Sequence, residues 1–271
     1  MIEVYSDLVK EFKHWVFPGG EVGVKFEFND LVFNTETIKV IWTVKFKDDL
    51  HKDFFIVANT IDAIRENFGQ NVKINLEIPY LPYARQDRAC SKGEAFSLKV
   101  FAGMVNSLDH NLLITHDVHN LNSYYKLFGA RAFNVPQHEC AKNLPKYDYL
   151  IAPDKGASGK VQLHDQVLYS DTKIIIMDKV RKDGQIVYGV DYEIPKGSSV
   201  CVVDDLSDGN GTFVALANAL NYKDFAAFDL YVTHGLFSKG LDNLRGIYDH
   251  VYCKNLMNQS LTGDSLLTVL N

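Results

Sequence analysis

The sequence predicts an α/β protein built from two similar domains, each a mainly parallel sheet flanked by helices. Three observations carry that reading. Short apolar runs alternate with longer amphipathic stretches along the chain. The alternation occurs in both halves, and each half holds an apolar strand that runs into an acidic turn, Leu113–His119 in the first and Val202–Asp208 in the second. Strand–helix alternation implies parallel strands covered by helices, because a parallel crossover needs a long connection that lies on the sheet.

The elements follow in chain order. Glu21–Phe28 (EVGVKFEF) and Thr37–Val44 have period-2 character and read as antiparallel strands. Lys52–Ala58 (KDFFIVA) reads as a strand and Asn59–Phe68 as a helix with Ile61, Ile64 and Phe68 on one face. Lys73–Ile78 is the next strand. Ala95–Leu108 is a helix, with Phe96, Val100, Phe101, Met104 and Val105 at helical spacing, and Asn111–Thr115 is a strand. In the second half Tyr149–Ala152, Lys173–Met177, Ser199–Val203 and Asp229–Thr233 are strands, and Thr212–Leu220 is a helix. The boundary falls near residue 135, giving domains 1–135 and 136–271, with a last helix packed back on the first domain.

Composition narrows the functions. The chain has 271 residues, 46% hydrophobic and 23% charged, with a formal net charge of -6. An acidic balance argues against duplex nucleic acid or an anionic membrane as partner, since both attract basic surfaces. Cys90, Cys140, Cys201 and Cys253 form no C-x-x-C pair, so reduced thiols and a cytoplasmic location are expected. The opening MIEVYSDLVKEF lacks a basic-then-apolar leader pattern, and no run of 18 apolar residues occurs. Gly156–Lys160 (GASGK) hints at a P-loop but lacks its spacing, and Val161 stands where Ser or Thr is needed.

Val202–Thr212 (VVDDLSDGNGT) carries the strongest chemical signal. An apolar strand ends in Asp204 and Asp205, whose adjacent carboxylates suit the two cis hydroxyls of a ribose. Asp208, Gly209, Asn210, Gly211 and Thr212 follow, with two glycines that let backbone amides approach an anion at the start of a helix. One element can thus hold both ends of a sugar phosphate. The plainer alternative is an acidic turn in which Asp208 caps the helix. Tyr80–Arg88 (YLPYARQDR) is a strand exit with two arginines, and Arg85 has the fork geometry that matches phosphate oxygens. On composition alone it is also an ordinary charged loop, and Lys179 and Arg181 in DKVR an ordinary surface turn.

In order along the chain, the segments Phe17–Lys25 (FPGGEVGVK), YARQDR, Ile114–His119 (ITHDVH), Ala152–Ala157 (APDKGA), Asp178–Arg181 (DKVR), VDDLSDGNGT and Thr233–Ser238 (THGLFS) resemble the signatures of ribose-phosphate pyrophosphokinases. Each is short, but the collinear set is far more specific than any member, and it covers roughly residues 17 to 240. The resemblance implies two domains of the type I phosphoribosyltransferase fold. It implies transfer of the diphosphoryl group of ATP to ribose 5-phosphate, giving phosphoribosyl pyrophosphate and AMP for nucleotide biosynthesis. The same residues leave two alternatives, a phosphoribosyltransferase that consumes that product and an inactive regulatory relative. It assigns Phe17, Gly19, Glu21, Arg85, Gln86, Asp87 and His119 to ATP, with Mg²⁺ at His119 and Asp154. Lys179 and Arg181 would be catalytic. Asp204, Asp205, Asp208, Gly209, Asn210, Gly211 and Thr212 would hold ribose 5-phosphate. Lys182–Gly189 would be a polar lid, and the chain would assemble into dimers or groups of dimers. Two departures stand out: Gly19 replaces the family's acidic residue, and Gly209 replaces a Thr or Ser.

Overall fold

The computed structural model describes residues 1–29, 37–161, 172–182, 185–189 and 193–271, with backbone alone at 179–182, 185–187 and 189. The chain divides into two compact units, Met1–Val135 and Pro136–Asn271.

The first unit holds a five-stranded sheet in the order β1-β4-β5-β6-β7, from β1 (Ile2–Tyr5), β4 (Thr37–Trp42), β5 (Lys73–Ile78), β6 (Leu112–His116) and β7 (Ala132–Val135). Only β1 runs antiparallel; β4 to β7 are mutually parallel. The expected antiparallel character of Thr37–Val44 therefore holds on one side, towards β1, and not towards β5. Ile38, Val40, Trp42, Ile74, Leu76 and Ile78 are fully buried. Each stabilises the fold by about 1.5–3 kcal/mol relative to exposure. A separate hairpin of β2 (Val9–Val16) and β3 (Val22–Phe28) carries the other expected antiparallel strand. It reaches helix α1 through Phe28, whose ring meets Phe68 edge-on at 4.9 Å, and through Asn59, which donates to Val22 O at 3.0 Å.

Helix α1 spans Leu50–Phe68 and so contains Lys52–Ala58, expected as a strand. The physical reason lies at Asp49. Its Oδ1 accepts the N–H groups of His51 and Lys52 at 3.2 and 3.1 Å, an N-cap that starts the helix before the apolar run. Phe54, Val57, Ile61 and Ile64 then fall on one buried face, while Phe55 is 58% exposed. A buried strand would have hidden both phenylalanines. Helices α2 (Ser97–Asn106) and α3 (Leu121–Phe128) complete the unit.

The second unit holds a six-stranded parallel sheet in the order β15-β14-β13-β12-β8-β9. Its strands are β8 (Tyr149–Ala152), β9 (Lys173–Ile176), β12 (Ser199–Ser207), β13 (Ala227–Gly235), β14 (Val251–Leu256) and β15 (Leu267–Val269). Alternate residues of β12 serve two cores. Val200 and Val202 pack with Phe213, Leu216 and Ala217 of helix α5 (Gly211–Leu220). Cys201 and Val203 pack with Ala141, Leu144 and Tyr147, behind the short helix α4 (Gln137–Cys140). This two-sided burial is why the strand reads as a continuous apolar run. The last segment is not the expected helix. Leu266 O accepts from Val251 N–H at 2.8 Å and Leu270 N–H donates to Cys253 O at 2.8 Å, so β15 satisfies the open edge of β14. A hairpin of β10 (Asp178–Lys182) and β11 (Gln185–Gly189) stands outside this sheet. Among the described helices none is long and apolar enough to cross a membrane.

Candidate active site

In each unit most of the singled-out motifs leave the carboxyl ends of parallel strands, where open α/β sheets bind ligands, while FPGGEVGVK and DKVR lie on the two antiparallel hairpins. In the first unit β5 and β6 are neighbours, with Ile78 opposite Thr115. The loop Pro79–Arg88 leaves β5 and the turn Asp117–Asn120 leaves β6. His116 N–H donates to Pro79 O at 3.0 Å, so the loops start side by side. Leu81 and Ala84 are buried and anchor the first loop, and the Tyr83 ring lies 5.4 Å from that of Phe101. Arg85, Gln86 and His119 stand exposed. Asp87 does not: its Oδ2 accepts from Asn120 Nδ2 at 2.6 Å, and Asn120 Oδ1 accepts Ser123 N–H at 3.1 Å to cap α3. Asp87 thus ties the arginine loop to the histidine turn.

Beneath these loops His116 Nε2 lies 3.1 Å from Glu77 Oε1, and Lys39 pairs with the other carboxylate oxygen. Burial alone would raise the Glu77 pKa. The His116 and Lys39 hydrogen bonds outweigh it and hold the carboxyl at about 2. At the hairpin tip Phe17 N–H donates to Glu21 O at 2.7 Å, and the Phe17 ring meets Trp15 at 5.8 Å. A side chain on Gly19 would start 2.4 Å from Glu21 Oε2, so the missing acidic group leaves space that the Glu21 carboxylate occupies.

In the second unit β12 delivers Asp204 and Asp205. Asp205 N–H donates to Asp204 Oδ1 at 2.8 Å, and Gln137 Nε2 holds Asp204 O at 2.9 Å from behind. Lys160 Nζ lies 3.3 Å from Asp205 Oδ2, with both side chains about five-sixths buried (16% and 15% exposed). Burial and the neighbouring charges of Asp205 and Asp154 push the Asp204 carboxyl well above the usual carboxylate range, against the opposing pull of Lys160. Asp154 Oδ1 accepts the N–H groups of Gly156 and Ala157 at 2.9 and 3.2 Å and closes the turn after β8.

The loop Asp208–Asn210 is clamped rather than capped. The N-cap of α5 is Asn210, in left-handed conformation with φ 63°, and its side chain makes no cap hydrogen bond. The N-cap position thus falls on Asn210, two residues after Asp208. Asp208 instead accepts from Ser238 Oγ, and Ser238 N–H donates to Asp208 O at 3.0 Å. Asn210 accepts from Ser207 Oγ at 2.6 Å and donates to Gly240 O and Asn243 Oδ1 at 2.8 and 2.7 Å. Asn243 Nδ2 returns to Gly209 O at 3.3 Å. The amide-rich turn is thus pre-shaped and fastened to the segment after β13. His234 on β13 is buried against Asn255, a core position.

Backbone strain marks the same places. Of the six non-glycine residues with positive φ among the described residues, Tyr83, Asp117, Asn210 and Phe237 lie in the arginine loop, the histidine turn, the glycine-rich loop and the THGLFS segment. Such conformations persist only where surrounding contacts impose them, and they gather at ligand sites.

Lys179 and Arg181 lie on β10, with backbone opposite Tyr188 and Ile186, and their side chains fall outside the described residues, as do residues 183–184 of the hairpin. The expected lid is mostly strand β11, and its Tyr188 is buried in the core with a hydroxyl that has no hydrogen-bond partner among the described residues. Sequence reasoning missed Lys160 and Asn120. Lys160 sat in a rejected P-loop look-alike, and nothing local pointed to its pairing with Asp205. Asn120 carried only the ordinary signal of a helix N-cap. His119 belongs to the first unit and Asp154 to the second. Oxygen donors of the kind Mg²⁺ prefers are present, yet among the described residues no three acidic, His or Cys side chains gather as a ligand set. That donor set suits an ion that keeps waters and arrives on a polyphosphate.

No model of a known protein family matches the chain. The ribose-phosphate pyrophosphokinase of Mycoplasmopsis pulmonis is 28% identical over 214 residues, 70% of this chain and 64% of its own length. This chain thus matches less than two thirds of that relative. The enzyme of that name from Pyrococcus furiosus is 28% identical over 228 residues, covering 83% of this chain and 77% of the relative. The one from Staphylococcus haemolyticus is 31% identical over 189 residues, 66% and 57%. The crystal structure of phosphoribosylpyrophosphate synthetase from Mycobacterium smegmatis superposes with a TM-score of 0.77 at 21% identity, over 96% of this chain and 85% of that one, a likeness of fold. The chain is thus similar in sequence to relatives of one name, the ribose-phosphate pyrophosphokinases, and it shares the fold of a phosphoribosylpyrophosphate synthetase.

Proposed function

We propose that the chain transfers the diphosphoryl group of ATP to the 1-hydroxyl of ribose 5-phosphate, giving phosphoribosyl pyrophosphate and AMP. The observation that carries this reading is the clamped turn Asp208–Thr212 behind the paired Asp204 and Asp205. It offers carboxylates for the ribose hydroxyls and backbone amides for the phosphate. Arg85, Gln86 and His119, exposed on two tied loops, supply the ATP contacts, with Phe17, Gly19 and Glu21 at the adenine. Asp87 contributes by holding the arginine loop in place. A phosphoribosyltransferase that consumes the product would need the sugar-phosphate loop alone, and the tied loops of the first unit favour synthesis.

In the reaction the 1-hydroxyl oxygen bonds to the β-phosphorus. The bond from that phosphorus to the α,β-bridging oxygen breaks, and its electron pair leaves on AMP. The hydroxyl proton passes to solvent. Such transfer needs alignment and charge stabilisation more than covalent chemistry. Lys179 and Arg181 stabilise charge that develops on the transferring group. His119 and Asp154 are the proposed protein partners of Mg²⁺, which would neutralise phosphate charge when bound with the nucleotide. Asp204 and Asp205 orient the sugar by accepting from its cis hydroxyls. A homo-oligomer is part of this reading, and exposed Phe55, Val100 and Met104 on α1 and α2 give it apolar surface to cover.

The test is turnover. Purified chain with Mg²⁺, ATP and ribose 5-phosphate releases AMP, and omission of the sugar phosphate abolishes release. A folded chain that yields no AMP above background contradicts the proposal.

A further inference from the structure

Gly209 has no side chain, and the Lys239 side chain borders the space over it. A Cβ built there would stand 3.6 Å from Cδ and Cε of Lys239 and 4.0 Å from its Nζ. Lys239 follows Ser238, which holds Asp208, and precedes Gly240, whose carbonyl accepts from Asn210. The segment that clamps the loop therefore also lays a cation across it. Lys239 is exposed and makes no hydrogen bond or ion pair among the described residues, so its ammonium is not committed to a protein carboxylate. Beside it stand the left-handed Asn210, whose side chain makes no cap bond, and the first turn of α5.

We propose that Lys239 is the cationic contact for the phosphate group of a sugar phosphate held by the 208–212 loop, in the space that a side chain at residue 209 would otherwise enter. The inference rests on the sugar-phosphate reading of that loop and names a recognition residue that reading does not contain. A lysine ammonium offers three donors on a flexible stem and serves as a point charge for a phosphate dianion. It compensates for the hydroxyl that Gly209 does not supply.

The test is calorimetric titration of the full chain with ribose 5-phosphate, and with ribose as the phosphate-free control. Charge-assisted hydrogen bonds of this kind are expected to alter affinity by roughly tenfold or more. Lys239→Ala should weaken ribose 5-phosphate by that factor, and Lys239→Arg should recover most of the loss. Any binding of ribose should be the same in all three proteins. Added salt should weaken binding to the wild type more than to Lys239→Ala, because the lost contact is ionic. Equal affinity of wild type and Lys239→Ala overturns the inference and leaves the sugar-phosphate reading standing. A wild type that does not bind ribose 5-phosphate overturns the reading and the inference together. Should Lys239→Ala not fold, Lys239→Gln and the salt dependence of the wild type decide in the same way.

Discussion

Asn120 Nδ2 donates to Asp87 Oδ2 at 2.6 Å, and this one bond joins the turn after β6 to the loop after β5. Asn120 also caps α3 through Oδ1. The two roles can be separated. Asn120→Asp keeps a cap acceptor but turns the donor into a second carboxylate against Asp87. We expect a loss of roughly 1–3 kcal/mol at pH 7, with partial recovery at pH 5 as one of the two carboxyls protonates. Thermal melts at both pH values check this, and a pH-independent loss would show that the bond does not matter.

Glu77 sets an acid limit for the first unit. Its folded pKa of about 2 lies below the ordinary 4.5. A depressed carboxyl stabilises the fold fully above the unfolded value, and the contribution disappears as pH falls towards the folded value. Glu77→Gln should therefore cost roughly 1–3 kcal/mol at neutral pH. The gap to wild type should close between about pH 4.5 and 2. Denaturant melts across that window measure it.

Lys160 steadies the acidic pair at the end of β12. Removing it as Lys160→Met leaves Asp204 and Asp205 without the ammonium 3.3 Å from Asp205. The Asp204 carboxyl, already raised, should rise further, and more acid is then retained at a given pH. If Asp204 must be ionised to accept from the ribose hydroxyls, the acid limb of the kcat/KM profile for ribose 5-phosphate should move to higher pH. An unmoved limb with an intact fold would remove Lys160 from the site.

The buried Tyr188 hydroxyl has no hydrogen-bond partner among the described residues. Tyr188→Phe should leave stability within about 0.5 kcal/mol of wild type or raise it, since a donor that lacks a partner is costly to bury. A drop of several degrees in Tm would contradict this.

The sheets were legible where strands are buried on both sides. Val200–Val203 reads as an apolar run because both faces are covered, whereas Ile74–Ile78 alternates apolar residues with Asn75 and Glu77. The same signal failed at Lys52–Ala58, where four apolar residues in a row mimicked a strand and the cap at Asp49 decided for helix. The expected last helix is likewise absent at Leu267–Val269, where a strand pairs with the edge of β14. Residue types in the site were readable, but their roles were less so. Asp208 offered a helix cap from its position, and only the fold shows it bound to Ser238. The strained Tyr83 and Phe237 carry no local signal, because neither is a residue type that favours a left-handed backbone in the way glycine, asparagine or aspartate does. Lys160 and Lys239 meet their partners across 45 and 30 residues of chain, a distance over which spacing says nothing.

The central claim is transfer of an intact diphosphoryl group. Phosphorus NMR of a mixture of the protein, Mg²⁺, ATP and ribose 5-phosphate tests it most directly. The account predicts that ATP signals are replaced by AMP and by a diphosphate ester coupled to the sugar C1 proton, in equal amounts. ADP with a singly phosphorylated C1, or unchanged ATP with a folded protein, would contradict it.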